Sequence, residues 1–268
     1  MKAQLGDITI GYNDRGKGLP IVFVHAFPLD RRMWSGQEQD LSNKFRIITI
    51  DLRGHGESDV PSQPYSLNQA AADVGALLDF LEIERAVFVG LSMGGYVLLA
   101  LHQLSAHRIQ GLVLADTKAQ ADSREAKQGR LEMARMAFER GPAAIADLMI
   151  PRLLSRETIE RKQEIVNTVR AMIECNPVGG ITGDLQAMSE RADSTPLLAS
   201  IACPTQVIVG ELDVATPLTD ARLLADRIPH AQLAVIPAAA HLSNLEQPEA
   251  FNRVVESFAS QIGNASRI

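Results

Sequence analysis

One pentapeptide, Gly90-Leu91-Ser92-Met93-Gly94, has the residue types and the spacing for nucleophilic catalysis. A serine hydroxyl is exposed for attack when a strand turns sharply into a helix at that residue. Gly90 and Gly94 leave room for such a turn, because glycine carries no Cβ. The turn would also direct the Met93 N–H towards negative charge that forms beside Ser92. The pattern predicts a nucleophile at Ser92, although small residues between a strand and a helix are also ordinary loop composition.

A serine nucleophile needs a base to accept its proton, and that base is usually histidine. Three of the six histidines follow apolar runs that are typical of strands, namely His25, His55 and His241. The carboxyl ends of parallel strands form the edge of a sheet where active sites lie. His241 follows three alanines, which allow its loop to approach the serine closely. We therefore predict His241 as the base, which also gives the chain order serine, acid, histidine.

The acid that orients this base has three candidates. Asp213 lies in Gly210-Glu211-Leu212-Asp213, directly after the penultimate predicted strand, where it could accept a hydrogen bond from His241. Glu211 is closer to the end of that strand, and Asp116 follows the strand after the nucleophile helix. We favour Asp213, and each of the three could instead be a turn or helix-cap carboxylate.

The negatively charged oxygen of a tetrahedral intermediate needs two N–H donors. Met93 would supply the first. The loop after the run Ile21-Val22-Phe23-Val24 would supply the second from Phe27, with Pro28 stiffening the backbone.

The segments that position these residues alternate between strand-like and helix-like patterns. A capping box of Ser66 and Gln69 predicts the start of one helix. The apolar runs predict strands at residues 8–12, 21–24, 45–50, 87–89, 109–114, 206–209 and 233–236. A turn is expected at residues 13–16. Such alternation indicates a mostly parallel sheet that is covered on both faces.

From Thr117 to about Pro196 the alternation stops, and only helical periodicity remains. Leu131, Ala134 and Phe138 are expected to share a helix face. We interpret the chain as one domain, with a core of residues 1–116 and 197–268 and a helical cap at about 117–196. Methionine adapts its shape to irregular cavities, so the cap methionines could line an apolar pocket or simply pack helices together. They are Met133, Met136, Met149, Met172 and Met188.

Composition excludes several classes of function. The chain has 268 residues and a formal net charge of −6, which gives no electrostatic footprint for nucleic acid. Two distant cysteines, Cys175 and Cys203, fit neither a metal nor a redox spacing. No signal segment or membrane span is evident, so we expect a cytoplasmic protein without a membrane partner, a monomer or a homodimer. No cofactor or metal is implied.

Taken together, the motifs resemble those of the α/β-hydrolase superfamily, in particular its small carboxylesterase and 3-oxoadipate enol-lactonase-like branch. The motifs are Gly90–Gly94, His25-Ala26-Phe27-Pro28, the loop of residues 51–58, Gly210–Asp213 and His241. The resemblance implies a mostly parallel eight-stranded sheet with helices on both faces and a cap inserted after the strand that follows the nucleophile helix. It also implies a triad of Ser92, Asp213 and His241, and an oxyanion hole formed by Phe27 and Met93. One departure is Ala26, because the family usually has glycine there.

The expected function is hydrolysis of small to medium carboxylic esters through an acyl-enzyme, with a small-molecule ester or lactone as substrate. A 3-oxoadipate enol-lactonase would use the same chemistry on an anionic substrate. Such an enzyme would turn arginines of the cap inward, and the candidates are Arg124, Arg130, Arg135, Arg152, Arg156 and Arg170. A ligand sensor that retains a hydrolase triad is a third possibility from a different class.

Overall fold

The computed structural model describes residues 1–265, which contain one eight-stranded sheet. The strands are β1 (Lys2–Leu5), β2 (Ile8–Arg15), β3 (Pro20–Val24), β4 (Arg46–Ile50), β5 (Ala86–Leu91), β6 (Ile109–Ala115), β7 (Thr205–Gly210) and β8 (Gln232–Ile236). Their order across the sheet is β1-β2-β4-β3-β5-β6-β7-β8. The β1–β2 and β2–β4 pairs are antiparallel and the other pairs are parallel. The predicted sheet of eight mostly parallel strands is therefore confirmed.

The centre of the sheet is covered on both faces. Every residue of β5 and of β7 is buried, as a continuous apolar run predicts for a strand inside a parallel sheet. The helices are α1 (Ser35–Leu41), α2 (Leu67–Phe80), α3 (Met93–Ser105), α4 (Arg124–Leu153), α5 (Arg156–Arg161), α6 (Gln163–Cys175), α7 (Val178–Glu190), α8 (Leu218–Arg227), α9 (Ser243–Glu246) and α10 (Pro248–Ala265). The predicted capping box at Ser66 and Gln69 starts α2.

The turn expected at residues 13–16 lies later than predicted. β2 continues to Arg15, and the chain turns around Gly16, whose φ is +82°. Asn13 and Asp14 stay in the strand because they pair with β4 and their side chains have partners. Asn13 donates a 2.9 Å hydrogen bond to Glu38, and Asp14 accepts from Arg46. Polar residues that usually mark turns here find hydrogen-bond partners while they remain in a strand.

Helices α4 to α7 connect β6 with β7, and we call residues 117–196 the insertion. α4 is broken at Gly141, whose φ of +76° is not helical, just before Pro142. Leu131, Ala134 and Phe138 share a face of α4 before this break, as their spacing predicts. No neighbouring element of the described chain covers that face at Leu131 and Phe138, whose side chains are 59% and 81% exposed. Periodicity shows which residues share a face but does not show whether another element covers it.

Candidate active site

The turn between β5 and α3 places Ser92 in a strained conformation. Its φ is +55° and its ψ is −113°, a region that residues with a side chain rarely occupy. The two predicted glycines are required for close packing. A Cβ at Gly90 would overlap with the backbone of Gly94, and a Cβ at Gly94 would overlap with the carbonyl oxygen of Val24. The Ser92 hydroxyl is thus presented at the carboxyl edge of the sheet.

Ser92, His241 and Asp213 form one continuous chain of hydrogen bonds. Ser92 Oγ lies 2.8 Å from His241 Nε2, and His241 Nδ1 lies 2.9 Å from Asp213 Oδ2. With Nδ1 protonated, the imidazole donates to Asp213 and leaves Nε2 free to accept the serine proton. The structure therefore brings together the three residues that the sequence motifs predicted.

The Asp213 carboxylate is held by groups on its own loop. Oδ1 accepts hydrogen bonds from the N–H groups of Ala215 (2.8 Å) and Thr216 (3.0 Å), and Oδ2 accepts from the Thr216 hydroxyl (2.7 Å). These three donors leave the carboxylate one orientation, in which it faces His241. Thr216 is a partner that the sequence motifs did not single out.

The two rival carboxylates do not contact His241. Glu211 is exposed and accepts a 3.1 Å hydrogen bond from the Ala238 N–H. Asp116 is fully buried, where it accepts from the Gly210 N–H at 2.7 Å and from the Ser243 hydroxyl. Asp116 thus links the loop that carries Asp213 to the loop that carries His241.

Burial and charge set the protonation of these groups. Burial disfavours the charged imidazole of His241, but the nearby Asp213 carboxylate outweighs this effect and raises the pKa of His241 above its ordinary value. Burial also disfavours ionised Asp213, yet His241 and the bonds from Thr216 lower the pKa of Asp213. Burial, followed by repulsion from Asp213, raises the pKa of Asp116. Asp213 is accordingly the more readily ionised of the two buried carboxyls.

The two residues predicted to supply N–H donors, Phe27 and Met93, each follow a strand of the parallel sheet. Phe27 follows β3 in the loop of residues 25–30, which we call the Phe27 loop, and Met93 is the first residue of α3. Within the part of the chain that the structure describes, neither N–H donates to a protein acceptor. The Phe27–Pro28 peptide bond is cis. Ala26 is buried and does not have a positive φ, so its methyl group fits the loop.

The other two loop histidines have structural partners. His25 Nε2 accepts a 2.9 Å hydrogen bond from the Leu52 N–H, and its Nδ1 lies 3.0 Å from the Ala26 carbonyl oxygen. Burial, with a contribution from His55, lowers the pKa of His25 to about 3, so the ring is neutral. His55 Nε2 lies 3.4 Å from Asp184 on α7. Neither histidine contacts Ser92.

A cleft of about 710 Å³ opens over Ser92 between the sheet edge and the insertion. Its walls combine apolar and polar side chains, and four of the five insertion methionines contribute to the apolar part. The lining includes Phe27, Ser92, Tyr96, Met133, Met136, Leu148, Met149, Leu153, Met188, Val214 and His241. Met172 is instead buried in the core. Four of these methionines therefore line the cleft, and the fifth packs inside the protein.

Six charged side chains also line this cleft, and their formal charges balance. The cations are Lys118, Arg130 and Arg152, and the anions are Asp122, Glu125 and Glu132. Arg130 is paired with Asp122, which also pairs with Arg191. Among residues 1–265, Lys118 and Arg152 form no ion pair or hydrogen bond. Of the six arginines considered from the sequence, only Arg130 and Arg152 line the cleft.

The loops of the site are held in place by two buried residues, Glu246 and Asn176. The sequence motifs did not indicate either of them. Glu246 accepts hydrogen bonds from the N–H groups of Ala240 (2.8 Å) and Ser155 (2.9 Å), so it joins the His241 loop to the insertion. Asn176, between α6 and α7, bonds to the Phe27 loop. Their local sequence signals were an acidic residue two positions before Pro248 and an asparagine directly before Pro177, and both patterns are typical of helix ends.

Comparison with known proteins establishes the family. A model described as the alpha/beta hydrolase fold matches residues 20–248, and the chain belongs to this family. The 3-oxoadipate enol-lactonase 2 of Acinetobacter baylyi is 35% identical over 251 residues, which cover 93% of this chain and 90% of that protein. The family predicted from the motifs is thus confirmed.

Solved structures give the same result. A thermophilic esterase from Thermogutta terrifontis with malate bound has 39% identity and a TM-score of 0.94, and 98% of each chain is covered. The enol-lactonase from Burkholderia xenovorans has 32% identity and a TM-score of 0.91, with 97% of this chain and 100% of that chain covered. The relatives include both classes of ester-bond hydrolase that the sequence suggested.

None of the helices within residues 1–265 combines the length and the apolar character needed to cross a membrane. The same residues hold no group of three or more His, Cys, Asp or Glu side chains placed to bind a metal ion.

Proposed function

We propose that this protein is a serine carboxylesterase that cleaves esters of small to medium acyl substrates through an acyl-enzyme. The observation that carries the proposal is the strained Ser92, whose hydroxyl lies 2.8 Å from His241 Nε2 at the floor of a large cleft. A strained backbone and a base in hydrogen-bond reach are the features expected of an activated serine.

In the proposed reaction His241 accepts the Ser92 proton while the serine oxygen attacks the ester carbonyl carbon. The N–H groups of Phe27 and Met93 bind the oxyanion, and Asp213 stabilises the imidazolium and fixes its tautomer. His241 then protonates the departing alcohol. Water enters, His241 takes its proton, and the resulting hydroxide attacks the acyl carbon. The bond between that carbon and Ser92 Oγ then breaks, His241 returns the proton to Ser92 Oγ, and the carboxylic acid leaves.

The cleft supports a substrate of modest size. We propose that the insertion forms a cap, with helices α4 and α7 and their methionine side chains contacting the acyl group. Methionine adapts to acyl chains of different shape, and the balanced charges of the lining favour a neutral ester over a strongly charged one.

A second candidate is a lactonase that acts on an anionic enol-lactone such as that of 3-oxoadipate. Two observations favour it: Lys118 and Arg152 line the cleft without a counter-ion in the described chain, and two relatives are named as enol-lactonases. The chemistry at Ser92 would be the same, and only the binding of the substrate carboxylate would differ.

The test is a panel of p-nitrophenyl esters of increasing acyl length together with 3-oxoadipate enol-lactone, assayed with wild type and Ser92→Ala. The esterase proposal expects multiple turnovers with the short esters and a higher kcat/KM than with the lactone. A higher kcat/KM for the lactone would favour the second candidate. A single slow turnover with every substrate would contradict both and support a ligand sensor.

A further inference from the structure

Asn176 is a buried side chain at the point where the insertion reaches the candidate active site. It directly follows α6 and precedes Pro177, which cannot continue that helix. Its side chain is almost fully buried, so its amide must find hydrogen-bond partners within the protein. Those partners lie on two loops of the core that are distant in sequence.

The amide of Asn176 makes three hydrogen bonds. Its Nδ2 donates to the carbonyl oxygens of Pro28 (2.9 Å) and Leu29 (3.2 Å), and its Oδ1 accepts from the Gly56 N–H (2.8 Å). Both carbonyl groups belong to the Phe27 loop. Asn176 therefore uses its two donors on that loop and its acceptor on the neighbouring loop of residues 51–58.

The remaining supports of the Phe27 loop all come from the core. His25 holds the loop's beginning through the Leu52 N–H, the Ala26 N–H donates to Met33 Sδ at 3.3 Å, and the Leu29 N–H donates to the Ala26 carbonyl oxygen at 2.8 Å. Within residues 1–265, Asn176 is the single residue of the insertion that hydrogen-bonds to this loop. Its bonds begin at Pro28, the residue next to Phe27.

We propose that Asn176 is a positioning residue for the oxyanion donor at Phe27, through which the insertion sets the geometry of the reaction. The inference rests on the proposed function, because it assumes that the Phe27 N–H binds an oxyanion at Ser92. Without the bonds from Asn176, the Pro28 and Leu29 carbonyl groups lose their anchor and the Phe27 N–H moves relative to Ser92. A misplacement of about 1 Å can cost roughly 100-fold in rate.

The decisive experiment compares Asn176→Ala with wild type, using p-nitrophenyl acetate for rates and an alkyl trifluoromethyl ketone as inhibitor. The ketone forms a tetrahedral adduct with an active serine, so its affinity reports on the oxyanion donors. We expect kcat to fall about 10- to 100-fold with little change in KM, and the inhibition constant of the ketone to rise by a similar factor. The acid limb of the pH–rate profile should not move, because His241 and Asp213 keep their partners.

Asn252 on α10 supplies the matched control. It is also a buried asparagine with both ends of its amide bonded, donating to Asp40 at 2.9 Å and accepting from Gln37 at 2.8 Å, but it contacts neither loop. Asn252→Ala should lower thermal stability and leave kcat and ketone affinity within twofold of wild type. Equal effects of Asn176→Ala and Asn252→Ala on kcat and on ketone affinity would overturn the proposal.

Asn176→Asp is the second variant, and it decides the matter if Asn176→Ala does not fold. The aspartate keeps an acceptor for the Gly56 N–H and loses the donors to Pro28 and Leu29, so we expect the same loss of kcat and ketone affinity. Full kcat in a folded Asn176→Asp would refute the positioning role. Failure of the proposed function itself looks different, since wild type would then neither turn over the ester nor bind the ketone.

Discussion

The two sides of the cleft are built differently. On the sheet side, Ser92, His241 and Asp213 are joined by hydrogen bonds of 2.8 and 2.9 Å, and Asp213 has three further donors. On the insertion side, the wall combines methionine and aliphatic side chains with nearly as many charged ones, some of which have no partner in the described chain. A group held by several directional hydrogen bonds has one position, whereas a methionine side chain can adopt several rotamers. The sheet side thus suits a fixed reaction, and the insertion side suits a choice of substrate.

This contrast predicts that substitutions on the sheet side change the rate of every substrate, while those on the insertion side change the ranking of substrates.

The largest effect is expected for Ser92→Ala. Without the nucleophile, kcat for a p-nitrophenyl ester should fall by about 10⁵-fold or more, as such substitutions do in serine hydrolases. Initial rates together with labelling by a fluorophosphonate check this. The exposed Ser200 serves as control, and Ser200→Ala should keep both rate and labelling; substantial residual turnover in Ser92→Ala would mean that another group attacks the ester.

The next largest effect is expected for Asp213→Asn, which should lower kcat by roughly 10³- to 10⁴-fold because the tautomer of His241 is then wrong. In wild type, kcat/KM should fall as the pH drops through a His241 pKa above 6.5, since the base must be neutral. Removing the negative charge of Asp213 removes the main attraction that raises this pKa, so the acid limb should move to lower pH. A pH–rate profile of both proteins measures the shift.

Asp116→Asn is the matched comparison, since Asp116 is equally buried but bonds to Gly210 and Ser243 instead of His241. It should cost much less in kcat than Asp213→Asn. A larger loss in Asp116→Asn would show that the wrong carboxylate was assigned as the acid.

A third prediction concerns the packing that joins the two sides. A Cβ at Gly180 on α7 would overlap with the carbonyl oxygen of Gly54, so Gly180→Ala should destabilise the fold by about 1–3 kcal/mol. Gly75 in α2 has no atom near its potential Cβ, and Gly75→Ala should instead stabilise by up to about 1 kcal/mol through helix propensity. Thermal and urea unfolding of the two variants should therefore shift in opposite directions. Equal shifts would mean that α7 does not approach the loop of residues 51–58 as closely as in the structure.

The sheet side was predictable because its geometry is local or follows from the topology. The turn at Ser92 depends on Gly90 and Gly94, each two residues from Ser92 in one pentapeptide. Parallel strands bring the residues that follow them to one edge of the sheet. For this reason the motifs predicted Ser92, Asp213 and His241. The apolar runs predicted seven strands, whereas the eighth was implied by the resemblance to the α/β-hydrolase superfamily and is the short strand β1.

The insertion side was not predictable in the same way. Its residues act through contacts between distant segments, such as those of Asn176 with Pro28 and Gly56 or of Glu246 with Ser155. No residue type or spacing marks such pairs, and an asparagine at a helix end looks the same whether or not it supports another loop. The exposure of Phe138 could not be predicted for a similar reason, since coverage of a helix face depends on the arrangement of its neighbours.

The smallest effect should come from Arg152, and it tests the insertion side alone. Arg152 lines the cleft and its side chain has no partner in the described chain, so Arg152→Gln should raise KM for an ester with a free carboxylate by about 2- to 5-fold, as expected for a solvent-exposed charge pair. KM for a neutral ester of the same length should stay within twofold, and kcat should not change. Arg156 is the control, because its exposed side chain pairs with Glu160 away from the cleft, and Arg156→Gln should change neither constant. A loss of kcat for both esters in Arg152→Gln would contradict the division of the cleft into a reacting side and a selecting side.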